Sequence, residues 1–197
     1  MILETIVTTQ NEDGSANVSP MGPNVTDKLD TFELRPFNTT RTFANLKRTK
    51  TGVLHVTDDV ELFARAAIGQ LEPLPEFFSA EKVNGNVIAD CCRWYEFEVE
   101  YIDQTGPRMN LNCRTLHAGR IRDFWGFNRA KHAVLEAAIL ATRLNFLPAE
   151  EIRQQFTRLQ TTIRKTGGSR ENDAFELLCK FAGYEIAGHE QGNPSSA

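Results

Sequence analysis

The sequence predicts an α+β protein, mainly β through about residue 127 and helical beyond it. Three observations carry this. Residues 93–103 alternate, with Tyr95, Phe97, Val99 and Tyr101 on one face and Glu96, Glu98 and Glu100 on the other. "LETIVTTQNEDGSANVS" reads as a β-hairpin, two strands around a polar turn. After Phe127 the period changes: Ile152, Phe156, Leu159 and Ile163 recur at four, three and four residues, the spacing of one helix face. Strands first and helices second excludes a simple βαβ alternation, and no internal repeat is visible.

The chain has 197 residues, enough to bury roughly 70% of its unfolded surface as one domain or one domain with a helical annex. Hydrophobic residues make up 41% of it and thirteen are phenylalanines, which argues against disorder. The formal charge of −4 argues mildly against general nucleic-acid binding but leaves room for a local anion site. No signal peptide and no apolar run of spanning length is visible. The expectation is a soluble, cytoplasmic protein with neither membrane nor nucleic acid as a partner. Glycosylation-type sequences at Asn17, Asn24 and Asn38 then carry little meaning. Cys91, Cys92, Cys113 and Cys179 lack the spacing of a metal knuckle. They are expected as buried, reduced thiols, and no metal site is expected.

The elements follow in order. The hairpin over 2–20 should end at "SPMGPN", where Pro20 and Pro23 bracket Gly22. A strand near Phe32–Leu34 stops before Pro36. Thr39 or Thr40 caps a short helix carrying Phe43 and Leu46, closing near Gly52. "GVLHV" is a short strand. Asp58 with Glu61 forms a capping box for a second helix with Val60, Phe63, Ala64 and Ala67 inward. Residues 71–86 read as loop. The strand over 93–103 pairs with Met109–Thr115 after a turn at Gly106-Pro107, with a strand-like continuation through 116–124. Asn128 caps a helix to about Leu144, Pro148 opens another that Gly167-Gly168 stops, and Ser169 opens a third that ends at Gly183. The tail at 188–197 is expected to be mobile.

Several chemistries lack sequence support. There is no G-x-G-x-x-G, P-loop, nucleophile elbow or H-E-x-x-H. His55, in a short strand, and His117 read as packing residues rather than bases, and no catalytic residue stands out. Charge patterning says more. Arg35, Arg41, Lys47, Arg48 and Lys50 lie in 35–55 without a carboxylate. Arg108, Arg114, Arg120, Arg122, Arg129 and Lys131 crowd 108–132 against Asp123 alone. A solvated helix face accounts for Lys47, Arg48 and Lys50. "RPFNTTRT" is different: guanidinium forks, threonine hydroxyls and helix-start N–H groups suit a phosphate or carboxylate. "SPMGPN" offers a flexible glycine and free main-chain groups, suited to the edge of a planar heteroaromatic ring or simply to a bent connection. Phe124, Trp125 and Phe127 could stack on a ring or, more commonly, wedge helices onto the β layer.

With "ETIVTTQNEDGSANVSPMGPNV" followed by "RPFNTTRTFANLKRTKTGVLHVTDD", the chain resembles the flavin-reductase-like, FMN-binding split barrels. It more closely resembles an uncharacterised branch of that superfamily found in methanogenic archaea and planctomycetes. The resemblance implies a split antiparallel Greek-key barrel of about six strands over residues 1–127, with a helical annex at 128–187 packed on it. It implies a homodimer with FMN near the subunit interface. The ring-contacting segment falls on Ser19, Pro20, Met21 and Gly22. The phosphate-contacting segment falls on Thr39, Thr40, Arg41 and Thr42, with Arg35 beside it. The implied function is an FMN-dependent oxidoreductase or flavin reductase with a small-molecule electron donor or acceptor such as NAD(P)H. Two alternatives stay open: a non-enzymatic flavin- or pterin-binding module, and a structural dimer with a degenerate pocket.

Overall fold

A computed structural model describes residues 1–106 and 108–185. The expected tail at 188–197, Pro107 of the expected turn and the last residues assigned to the annex lie outside the described residues. Strands β1 (Thr5–Gln10) and β2 (Ala16–Met21) form the hairpin, and β3 (Asn24–Val25) and β4 (Thr31–Leu34) follow. Helix α1 (Arg41–Thr49), β5 (Thr51–Val56), α2 (Val60–Ala67), β6 (Phe77–Ser79) and β7 (Asn86–Ile88) lead to the long strands β8 (Arg93–Asp103) and β9 (Asn110–Arg120). Helices α3 (Arg129–Ala141), α4 (Ala149–Thr166) and α5 (Ser169–Ala182) complete the described chain.

Seven strands join in the order β2-β1-β5-β8-β9-β4-β3, every pair antiparallel. The sheet curls far enough that the chain entering β1 returns to β3. Leu3 N donates to Pro23 O at 3.1 Å and Val25 N to Met1 O at 2.9 Å. This is the split-barrel type of half-barrel, with seven strands rather than six. The stretch expected as loop contains the separate β6–β7 pair.

Three apolar clusters hold the layers together. Val7, Leu34, Leu54, Phe97 and Leu111 fill the concave side, closed by Phe43 and Leu46 of α1. Ile6, Val53, Phe63, Val87 and Trp94 fill the opposite side beneath β6–β7. Val60 and Ala64 of α2 join Val134, Phe156, Phe175 and Leu178, so α2 belongs to the helical layer as much as to the barrel. The four cysteines are buried and free. Burial pushes the Cys91 and Cys179 thiols up to about 12, well clear of thiolate chemistry at neutral pH.

Some local expectations are corrected. Helix α1 closes on Lys50 in the left-handed conformation (φ 59°), and Gly52 lies inside β5. A Cβ at Gly52 would stand 2.7 Å from Phe97 Cζ, so the glycine serves close packing. Asp59, not Asp58, caps α2, accepting from Glu61 N and Leu62 N at 3.1 Å each. Glu96 does not face water: it is fully buried, and β8 shifts register between Glu96 and Phe97. Tyr101, past a second shift, is exposed. The residues Phe124, Trp125 and Phe127 do not wedge helix against sheet, since Trp125 is 87% and Phe127 96% exposed.

Candidate flavin site

The first candidate segment ends the edge strand β2. Only an edge position tolerates Pro20 within a strand, because its missing N–H then faces away from the ladder. Side chains alternate, placing Asn17, Ser19 and Met21 on one face. Met21 packs against the concave cluster, and its carbonyl accepts the Thr5 hydroxyl at 2.8 Å. The Ser19 hydroxyl makes, among the described residues, only a long 3.5 Å contact to Pro20 O. Gly22 is exposed, and a Cβ there would come within 3.1 Å of Ile2.

The second segment starts α1. Thr40 is the N-cap: its hydroxyl donates to Phe37 O at 2.8 Å and accepts from Phe43 N at 3.2 Å. Its single proton is therefore committed to shaping the turn. Thr42 is buried, whereas Thr39 and Arg41 are exposed. No acidic residue stands in the first turn, so the positive end of the helix is not neutralised locally. Arg35 turns to Asn110 Oδ1 (3.2 Å) and Glu33 (3.5 Å).

The start of β2, two residues before the first segment, is tied to the helix that begins in the second. Asn17 Nδ2 donates to Thr42 Oγ1 at 3.1 Å and to Thr9 Oγ1 at 3.2 Å. Asn45, one turn along α1, donates to Thr9 Oγ1 at 3.1 Å and Asn11 Oδ1 at 2.9 Å. A neutral amide–hydroxyl lattice thus welds β1 and β2 to the start of α1. Sequence reasoning missed Thr9, Asn17 and Asn45. The one available signal was Asn45 three residues after Thr42 and next to the inward Leu46 on α1, where an unpaired amide would be costly.

The basic run over 108–132 disperses. Arg114 pairs with Glu98 and Glu100, Arg120 with Asp123, and Arg122 with Asp90 at 2.7 Å and Asp58 at 2.8 Å. Lys131 reaches Asp58 at 3.1 Å. Only Arg108 of this run comes to the α1 start, with its guanidinium 4.4 Å from the Phe37 ring centroid. A cavity of about 280 Å³ lies elsewhere, at the junction of barrel and helices, lined by Asp58, Asp90, Arg122, Trp125 and Lys131 among others. Their charges are largely spent on one another. His55 is buried, with Nδ1 3.1 Å from Ile6 O and Nε2 accepting from Ile88 N at 3.1 Å, a structural role. His117 sits 3.5 Å from Glu81.

A curled antiparallel sheet, an edge strand with open main chain and an adjoining helix start without a first-turn acid together describe an open half-barrel of the split-barrel type. The chain belongs to the DUF447 family: its residues 3–122 match the family model described as "Protein of unknown function (DUF447) N-terminal domain", and 128–180 match "Protein of unknown function (DUF447)". Among solved structures, it is similar to the FMN-bound protein MM1853 from Methanosarcina mazei. The two share 25% identity with a TM-score of 0.79, covering 91% of this chain and 94% of that one. The 2-nitrobenzoate 2-nitroreductase NbaA of Pseudomonas fluorescens shares the fold at TM-score 0.53 and 15% identity, over 60% of this chain and 64% of that one. Flavoredoxin from Methanosarcina acetivorans does so at 0.52 and 12%, over 61% and 69%. Among the described residues, no helix is long and apolar enough to cross a membrane.

Proposed function

We propose that this chain binds FMN and acts as a flavin-dependent oxidoreductase or flavin reductase, as a cytoplasmic homodimer. The observation that carries the reading is the Asn17–Thr42 hydrogen bond at 3.1 Å, which ties β2, the strand that runs on into Ser19–Met21, to the first turn of α1. Similarity to the FMN-bound Methanosarcina mazei protein over nearly the whole chain supports it.

The residues present fit the cofactor by their chemistry. Ser19, Pro20, Met21 and Gly22 offer main-chain groups and a thioether to a planar ring without bringing a charge to it. Thr39 and Arg41, with the first N–H groups of α1, offer donors to a phosphate. Thr40 and Thr42 act indirectly, one by capping the helix and the other by anchoring it to β2. Arg35 is the outlying member, held toward Glu33 and Asn110. When bound, FMN supplies the hydride- or electron-accepting ring, and no side-chain acid or base is indispensable to that transfer. The chain's own work is to fix the ring's edge and hold the phosphate. In this reading residues 1–127 form the cofactor-binding barrel, 128–187 the helical annex, and NAD(P)H or another small molecule exchanges electrons at the ring.

The test is the absorbance spectrum of protein purified after FMN supplementation, with mass identification of the released chromophore. Oxidised-flavin bands and released FMN are expected, with weaker retention in Arg41→Ala. Turnover with NADH or NADPH and an acceptor is expected in addition. Binding without turnover across a broad reductant screen would instead make the chain a flavin- or pterin-binding module. A folded protein that retains no flavin would overturn the reading.

A further inference from the structure

We infer that Arg108 is the residue that selects a phosphorylated flavin over its unphosphorylated form at the start of α1. The inference rests on the FMN reading above and adds a residue from the β8–β9 connection to it. Met109 N donates to Pro36 O at 3.0 Å, and Phe37 and Arg108 form an isolated antiparallel bridge. Arg108 is thereby fixed beside the turn that begins the helix, where Phe37 O accepts from Thr40 N at 3.1 Å and Thr40 Oγ1 at 2.8 Å.

Its side chain lies over the exposed face of Phe37, 4.4 Å from the ring centroid. Such stacking satisfies the flat face of a guanidinium and orders it, while leaving its in-plane N–H edges free. Those edges match two oxygens of a phosphate monoester. Among the described residues Arg108 has no carboxylate within ion-pair distance. Of the neighbouring cations, Arg35 is held by Glu33 and Lys47 donates to Gln104 at 3.2 Å, which leaves Arg41 and Arg108 to face a ligand. The helix start adds N–H donors and a partial positive charge that no first-turn acid cancels. An ordered, unpaired guanidinium beside it makes a dianionic phosphate the favoured ligand end.

The test compares FMN with riboflavin, which differ only by the phosphate, in equilibrium titrations of the full chain followed by flavin fluorescence. The wild type should bind FMN more tightly than riboflavin. Arg108→Ala should lose roughly ten- to a hundredfold in FMN affinity, the worth of one charge-assisted pair, with riboflavin affinity and thermal unfolding unchanged. Arg108→Lys should fall between, since it keeps the charge without the fork. Phe37→Leu should show a smaller loss confined to FMN. Unchanged FMN affinity in Arg108→Ala, or equal losses for both flavins, would overturn the role of Arg108 while leaving FMN binding intact. A wild-type chain that binds neither flavin would overturn the FMN reading and this assignment with it.

Discussion

Asp58 Oδ1 lies 2.8 Å from Arg122 Nη1, an ion pair that ties the end of β5 to the connector entering the helical layer. Lys131 of α3 adds a second contact to the same carboxylate at 3.1 Å and donates to the Asp58 carbonyl at 2.9 Å. One carboxylate side chain, 4% exposed, thus fastens three parts of the chain.

Replacing it should loosen that junction. Asp58→Asn leaves Lys131 without its carboxylate and Arg122 with Asp90 alone, and should cost about 3 kcal/mol, as breaking a buried pair does. Urea unfolding at neutral pH measures this. Burial by itself would raise the Asp58 carboxyl, but hydrogen bonds from Arg122 and Lys131 outweigh it and hold the pKa at about 2 against an ordinary 3.8. A depressed carboxyl stabilises the fold above its unfolded pKa and stops doing so as pH falls through the folded one. The wild type should therefore lose this contribution between about pH 4 and 2, and Asp58→Asn should lack that limb of the profile.

His55 gives a second pH window. Burial lowers its pKa from 6.5 to about 4, and its two partners require the Nδ1–H tautomer. The unfolded chain takes up the proton first on acidification, so stability should decline as pH falls from 6.5 toward 4. His55→Phe should abolish that slope. It should also cost about 2 kcal/mol at pH 7 by orphaning Ile88 N–H. Thermal unfolding across pH 4–7 checks both.

Glu96 holds a loop. Its carboxylate accepts N–H from Glu81 at 2.9 Å, Lys82 at 2.6 Å and Val83 at 3.2 Å, and the Trp94 indole at 3.2 Å. Burial raises its pKa, but the backbone donors, Glu81 first, more than offset this and leave it below the usual value. Glu96→Gln places an amide donor against those donors and should cost about 2 kcal/mol. Faster amide exchange at residues 81–83 is the expected local signature.

Gly119 is a packing requirement. A Cβ there would stand 2.0 Å from Trp94 Cη2, which no rotamer adjustment of a rigid indole relieves locally. Gly119→Ala should destabilise by about 3 kcal/mol and shift tryptophan emission as Trp94 moves.

Much of the fold is legible in the sequence because local patterns generate it. The hairpin follows from its turn and flanking β-branched residues, and α4 from the Ile152–Phe156–Leu159–Ile163 stripe. The caps Thr40 and Asn128 follow from hydroxyl and amide groups at helix starts. "SPMG" and "RPFNTTRT" are also legible as separate stretches suited to a ring edge and an anion. Locality fails where a choice depends on distant chain. Asp58 and Asp59 are chemically alike, and only the arrival of Arg122 and Lys131 decides that the first is an anchor and the second a cap. Glu96 alternates like a solvent-facing residue, yet the chain at 81–83 covers it with backbone donors. Periodicity and capping are properties of a few adjacent residues, so the sequence by itself determines the elements and their order. Strand register and ion pairing join residues far apart in the chain, so only the tertiary structure could bring Asn17 to Thr42 and Arg108 to Phe37.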